Sequence, residues 1–415
     1  MIYGCLKNTF LFLAVGIISC GTGTADKTEF PSKNKLETEK SVDEIIVGAN
    51  RTEAYLPLLK GKNVGVVANQ TSVIFKDSQN GKDEKYMHLV DSLLSLNVNV
   101  TKVFSPEHGF RGTAAAGEIV KDGIDSKTGL PIVSLYGANK KPSAEQLKNL
   151  DILIFDIQDV GVRFYTYIST LHYVMEACAK QNIPMLILDR PNPNGNFIDG
   201  PILEMKHQSF VGMHPVPVVH GMTIGEYAKM INGENWLKNG LKADLTVIKM
   251  QNYNRSMKYH LPIKPSPNLP NDRAINLYPS LCFFEGTNVS AGRGTDFQFQ
   301  LFGSPFLNPA IFKFTCIPKP NAGSKSPKHE GKICYGENLT NFPKLSKINL
   351  DWLIAAYENT ENQSEFFTGF FTKLAGTTKL REKIEAGWTA QEIRESWQEG
   401  LEKYNEMRKK YLLYP

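Results

Sequence analysis

The sequence predicts an α/β protein. A Rossmann-like, mostly parallel sheet is expected over residues 46–262. A smaller α+β domain follows over 263–415, with the active-site cleft between them. Three observations carry this. Short, continuous apolar runs alternate with stretches of helical spacing, which is how strands buried on both faces and their crossover helices read. Four of those runs end abruptly in polar residues, titratable ones in three of the four, as strand tips at a ligand-binding sheet edge do. Finally, Pro262, Pro265, Pro267 and Pro270 interrupt the pattern, and beyond them short strands and glycine turns give way to helices. At 415 residues the chain is too long for one ordinary domain.

In chain order, Asn63-Val64-Gly65-Val66-Val67-Ala68 predicts a buried strand. Residues 86–96 have helical spacing, 98–104 predict a second strand and 132–135 a third. Ser143-Ala144-Glu145-Gln146 has a hydroxyl at an N-cap and an amide three residues on, the capping-box pattern, and starts a short helix. Residues 151–155 predict a strongly apolar strand, 167–180 a helix and 184–188 another strand. In the second half, helices are predicted over 350–359 and from Thr389, where Thr389-Ala390-Gln391-Glu392 repeats the capping box, to about residue 411.

The strand tips deliver chemistry to one edge. Ala68 leads to Asn69 and Gln70, and Phe104 to Ser105, Pro106, Glu107 and His108. Phe155 leads to Asp156, Gln158 and Asp159, and Leu188 to Asp189 and Arg190. Polar loops explain one or two of these ends. They explain less well carboxylates set immediately after such apolar strands.

Charge excludes little but suggests little. The formal balance of +5 is mild, and no basic run interleaved with aromatics calls for nucleic acid. The N-terminus carries an address. Lys7 precedes an apolar run over residues 10–18, too short to span a bilayer, and then Ser19, Cys20 and Gly21 follow. Residues 1–19 therefore read as a signal peptide of an exported protein. Ile17-Ile18-Ser19-Cys20 resembles a bacterial lipobox, which implies that Cys20 becomes lipidated and fixes the chain to a membrane of the cell envelope. Residues 20–45 form the flexible tether. Of the remaining cysteines, Cys316 and Cys334 could pair in an oxidising periplasm, but nothing in the sequence requires it.

Several standard sites are absent. There is no G-x-S-x-G elbow, no H-E-x-x-H, no phosphate loop and no C-x-x-C. His207, His214 and His220 have spacings that match no standard metal set. What remains is carboxylate chemistry. Ser105-Pro106-Glu107-His108-Gly109-Phe110-Arg111-Gly112 is a loop whose proline restricts its entry and whose glycines allow close approach. Residues 156–167 pack Asp156, Gln158, Asp159, Arg163, Tyr165 and Tyr167 together. Glycosidases commonly need two carboxyl groups flanking the bond, one to protonate the leaving oxygen and one to activate water or attack. Aromatic faces stack on sugars, and an arginine can grip a carboxylate with two parallel hydrogen bonds. An Arg–Asp pair at a strand end is equally common as structural glue.

Several motifs together resemble the exo-β-N-acetylmuramidases of the NamZ type. They are Glu107-His108-Gly109-Phe110-Arg111-Gly112, Ser134-Leu135-Tyr136-Gly137, the 156–167 stretch, Asp189-Arg190-Pro191-Asn192-Pro193, and Gly286-Thr287-Asn288-Val289-Ser290 with Gly292-Arg293-Gly294-Thr295. They run in order from about residue 46 to the C-terminus. The resemblance implies release of N-acetylmuramic acid from the non-reducing end of peptidoglycan chains, without metal, nucleotide or other cofactor. It implies Glu107 as general acid or other principal carboxylate, with Asp156 or Asp159 as its partner. His108, Arg111, Gln158, Tyr165, Tyr167 and Asn288 become candidate substrate contacts. Arg163 or Arg293 would hold the lactyl carboxylate. Asp125 is a less favoured partner. Ala291 stands where such proteins can carry an acidic residue, so no chemistry is assigned there. The alternative is a sugar-binding lipoprotein that uses the same cleft without catalysis.

Overall fold

The computed structural model describes residues 44–76, 85–112, 118 and 121–415. Cys20, the leader and most of the tether lie outside the described residues. Twelve strands are described: β1 (Val64–Ala68), β2 (Val73–Phe75), β3 (Tyr86–His88), β4 (Val100–Ser105), β5 (Gly123–Ile124), β6 (Pro131–Ser134), β7 (Ile152–Asp156), β8 (Met185–Leu188), β9 (Leu245–Ile248), β10 (Leu301–Ser304), β11 (Phe314–Cys316) and β12 (Cys334–Asn338). Seven form one sheet in the order β5-β6-β4-β1-β7-β8-β9. Only β5 is antiparallel. From β6 to β9 this is the doubly wound strand order, with the side on which successive strands are added switching between β1 and β7.

Side-chain alternation explains how the sheet holds its layers. Ile152 and Ile154 of β7 join Val64, Val66 and Val103 in one core, under helices α1 (Thr52–Leu59) and α2 (Leu89–Ser95). Leu153 and Phe155 point the other way, into a larger core with Val67 and Phe104. That core is roofed by α4 (Tyr167–Gln181) and α5 (Ile224–Gly233), while the short α3 (Ala144–Leu147) carries the expected capping box at Ser143. The same larger core continues into the second half through Phe283, Phe302 and Phe366. The second half adds α6 (Asp272–Leu281), the antiparallel sheet β10-β12-β11, and five helices: α7 (Asp351–Glu358), α8 (Gly369–Ala375), α9 (Lys379–Glu385), α10 (Ala390–Glu395) and α11 (Gln398–Lys409). Residues 44–415 form one compact unit.

Two expected helices differ. Residues 86–96 begin as β3 and turn helical only at Leu89. His88 ends the strand, touching the Asn69 carbonyl through Nε2 (2.9 Å) and accepting from Val90 N–H at the N-cap. The long C-terminal helix is two, broken where Trp397 leaves helical geometry and buries its ring in the larger core. Of the three spaced histidines, His214 is a core residue, bonded to His172 (2.9 Å) and Tyr227 (3.0 Å).

Candidate active site

Parallel register builds the site around Glu107. Ser105 of β4 pairs with Ser134 of β6. Two residues beyond each, Tyr136 Oη meets Glu107 and donates to Oε1 at 2.9 Å. From the other side Thr166, the N-cap residue of α4, donates to Oε2 at 2.8 Å. Its hydroxyl makes no cap hydrogen bond within the helix. Burial and the Glu107 charge both push the Tyr136 phenol up, so it stays protonated and remains a donor. The loop behind is bent sharply. His108 has φ 72°, followed by Gly109 at 80° and Gly112 at 76°. A side chain at Gly112 would collide with Gln70, its Cβ falling 2.8 Å from that residue's Cβ. His108 is no glycine, so its left-handed backbone costs about 1–2 kcal/mol. It is nonetheless held there, with its side chain buried.

Glu107, His108, Tyr165 and Thr166 line one side of a small solvent-open cavity of about 50 Å³. Asn268, Tyr278, Arg293 and Phe299 of the second half line the other. Tyr278 stands edge-on to Phe164, Tyr165 and Phe299, giving an aromatic wall. Arg293 lies 5.0 Å over the Phe299 ring and is paired through Nε and Nη2 with Glu285. Its Nη1 makes no hydrogen bond among the described residues. A second cavity adjoins through Arg293 and is lined by Glu285, Ser290, Ala291, Ser324, Ser326 and Lys328. Lys328 donates to the carbonyls of Phe284 (3.1 Å), Thr287 (2.5 Å) and Val289 (2.9 Å). Burial pulls its ammonium down to about 8.

Of the residues singled out from sequence, the cavity brings together Glu107, His108, Tyr165 and Arg293. The others are placed elsewhere, and each has a physical reason. Asp156 is fully buried and gives both oxygens to Arg190 (2.6 and 2.8 Å), so it is glue and not the partner of Glu107. Asp159 accepts from Gly161 N–H (2.7 Å) and faces His220 at 3.7 Å, off the cavity wall. Gln158 ties the Asp159 and Pro191 carbonyls together. Arg163 is fully buried, off the cavity wall, and donates to four carbonyls, those of Pro201, Val216, Leu374 and Ala375; its Nε, the one donor without a partner among the described residues, is buried as well. Arg111 is taken up by Asp91 and Asp125. Tyr167 accepts from Asn69 (2.8 Å) beneath the cavity. Asn288 is fixed through its backbone to Phe366 and His329. Among the described residues, no group of three His, Cys, Asp or Glu side chains converges as a metal site would need. Tyr136, Thr166, Glu285 and Lys328 were not singled out. Tyr136 and Thr166 lie inside motifs read from the sequence, and their register at strand and helix ends is the signal that could have found them.

Fold and site together define a doubly wound α/β protein with a carboxylate-centred, aromatic-walled cleft suited to a polyol ligand, and no dinucleotide motif. Comparison with known proteins makes the class particular. Residues 64–273 match the N-terminal part of the family described as exo-β-N-acetylmuramidase NamZ, and residues 276–414 match its C-terminal part. The chain belongs to this family. It is 41% identical, over 98% of its length and 100% of the relative's, to the peptidoglycan β-N-acetylmuramidase NamZ of Bacillus subtilis (strain 168). Two crystal structures of DUF1343 family proteins from Bacteroides fragilis NCTC 9343 share the fold. One has TM-score 0.81 at 47% identity, the other 0.73 at 28%, and each aligns over 89% of this chain and 99% of its own.

Proposed function

We propose that the protein is an exo-acting glycoside hydrolase that releases β-linked N-acetylmuramic acid from the non-reducing ends of peptidoglycan fragments. The observation that carries the reading is Glu107 itself: a carboxyl group hydrogen-bonded at both oxygens, at the mouth of a cleft whose far wall is aromatic and cationic, in a chain of this family. Tyr136 and Thr166 fix the orientation of the carboxyl group, which removes the cost of arranging it during the reaction. Glu107 then serves the glycosidic oxygen or the anomeric carbon as the principal carboxylate. The aromatic wall of Tyr278 and Tyr165 offers apolar surface for the sugar ring, and Phe299 backs the Arg293 guanidinium. Arg293 Nη1 offers a donor for the lactyl carboxylate that separates N-acetylmuramic acid from N-acetylglucosamine.

Turnover of a chromogenic β-N-acetylmuramide, compared with the matching β-N-acetylglucosaminide, tests this. The muramide is expected to be cleaved and the glucosaminide not. Glu107→Gln is expected to lower kcat by about 10²–10⁴-fold. Sugar binding without release of either chromophore would leave a binding protein in place of the enzyme, and normal turnover by Glu107→Gln would remove the residue assignment.

The protein is also read as exported and lipid-anchored at Cys20, supported by the lipobox-like Ile17-Ile18-Ser19-Cys20. Metabolic labelling with a fatty acid should mark the chain, and Cys20→Ser should abolish both label and membrane fractionation. A labelled Cys20→Ser chain would refute the anchor.

A further inference from the structure

We propose that Cys316 and Cys334 are a thiol pair built to close into a reversible disulfide, which clasps the base of the 317–333 loop that walls the cleft. The geometry is set by the small antiparallel sheet. Cys316, the last residue of β11, lies directly opposite Cys334, the first of β12. Directly opposed residues in antiparallel strands have Cα atoms about 4.5–5.5 Å apart. A disulfide accepts about 4.4–6.8 Å, so the backbone already stands within range. The neighbouring Cys334 holds the Cys316 thiol below the usual range, while Cys334 Sγ itself lies 3.7 Å from the Lys332 carbonyl. Cys316 is half-exposed and Cys334 buried, so an external disulfide meets Cys316 first. Cys178 and Cys282 are buried in other elements, in α4 and just after α6.

What the bond would clasp is specific. Ser324, Ser326 and Lys328 of the enclosed loop line the cavity beside Arg293. Lys328 is plugged into the carbonyls of 284, 287 and 289, His329 into that of Asn288 (2.6 Å), and Asn321 into that of Thr295 (3.2 Å). The backbone N–H of Lys319 bonds the Gly294 carbonyl at 2.7 Å. The loop thus holds the Gly292-Arg293-Gly294-Thr295 turn in place. A covalent link across its two ends restricts how far it can lift. That this turn matters to turnover rests on the reading of the cleft given above; the bond itself does not.

The chemistry is thiol–disulfide exchange with a small-molecule disulfide, RSSR. The Cys316 thiolate attacks one sulfur, forming Cys316–S–S–R and expelling RS⁻. Cys334, deprotonated by that thiolate or by solvent, attacks Cys316 Sγ and expels the second RS⁻. The protein loses two electrons and two protons, and RSSR gains them as two RSH. An added dithiol reverses the sequence.

The test uses the full chain with oxidised glutathione as the probe, followed by trapping of free thiols and non-reducing peptide mapping. The expected product is one linked pair of peptides, joined through Cys316 and Cys334, with Cys178 and Cys282 unlinked. Cys334→Ser should stop at the Cys316–glutathione adduct, which separates a resolving thiol from mere proximity. Amide exchange over 317–333 should slow several-fold, on the order of threefold or more, in the linked protein and recover with dithiothreitol. A folded wild-type protein that stops at the adduct, or stays unmodified, overturns the pair. A linked protein with unchanged exchange over 317–333 overturns the clasp. Neither readout depends on cleavage of a muramide, so failure of the proposed function leaves this result interpretable.

Discussion

At the scale of single residues, the cleft and its supports show how one motif divides its labour. Glu107 and Arg111 lie four apart in the same loop, yet one faces the cavity and the other holds the loop down. Arg111 bridges Asp91 (3.1 Å) and Asp125 (2.7 Å), and Asp125 is only 5% exposed. Arg111 beside it holds the Asp125 carboxyl down at about 2, against 3.8 for a free one. Its folded value lies below its unfolded value, so the stabilisation is complete above about pH 4 and is lost as pH falls through about 2. It amounts to about 2 kcal/mol. Denaturant unfolding at pH 5 and pH 2 should show that loss from this group, and Arg111→Met should remove most of it. A pH slope unchanged in the variant would assign the acid sensitivity elsewhere. Glu107 was legible in the sequence because proline and glycine mark its loop locally. Its partners were not, because Tyr136 and Thr166 reach it only through strand register and a helix start, which a single sequence does not display.

At the scale of elements, alternation decides what a strand-end carboxylate can do. Asp156 is the last residue of β7 and, two and four residues on from Ile154 and Ile152, shares their face of the sheet. That face is a dry core, so the side chain turns inward to Arg190 instead of outward to a ligand. The sequence shows the polar residue at the tip and not the face it occupies; hence Asp156 reads there as a catalytic candidate. Capping boxes were legible for the opposite reason. Ser143 with Gln146 and Thr389 with Glu392 need only residues three apart, and both form as expected. Asp156→Ala should strand a buried guanidinium and cost about 3–5 kcal/mol in unfolding free energy. Turnover per folded molecule should stay within about threefold of wild type, since a group off the reacting centre removes no transition-state contact. A stable Asp156→Ala protein with abolished turnover would reverse this assignment and return Asp156 to the chemistry.

At the scale of the whole molecule, the two halves that sequence and family boundaries separate are cross-tied. The sequence divides the chain at 262, the family's two parts meet between residues 273 and 276, and the folded residues 44–415 make one compact unit. Arg163, in the loop after β7, donates to the carbonyls of Leu374 (2.9 Å) and Ala375 (2.7 Å), at the negative end of α8. Burial without a carboxylate partner pulls its guanidinium down to about 9, so those carbonyls are what keep the charge tolerable inside the protein. The chain's end makes the reciprocal tie. Tyr414 donates to Asp189 Oδ2 at 2.6 Å and accepts from Met250 N–H at 3.0 Å, while Leu413 N–H bonds Glu226. Burial lifts the Asp189 carboxyl to about 6, and Tyr414, Gly225 and Thr223 are the donors that oppose this. A structure tied from both ends should unfold as one. Calorimetry of residues 44–415 is therefore expected to give a single transition, with calorimetric and van't Hoff enthalpies in agreement. Tyr414→Phe removes one donor from a buried carboxyl and one acceptor from a buried N–H. It should cost about 1–3 kcal/mol while leaving the transition single. Two resolved transitions, or a Tyr414→Phe variant that melts only the second half early, would show that the cleft lies between independently stable domains and that these ties do not couple them.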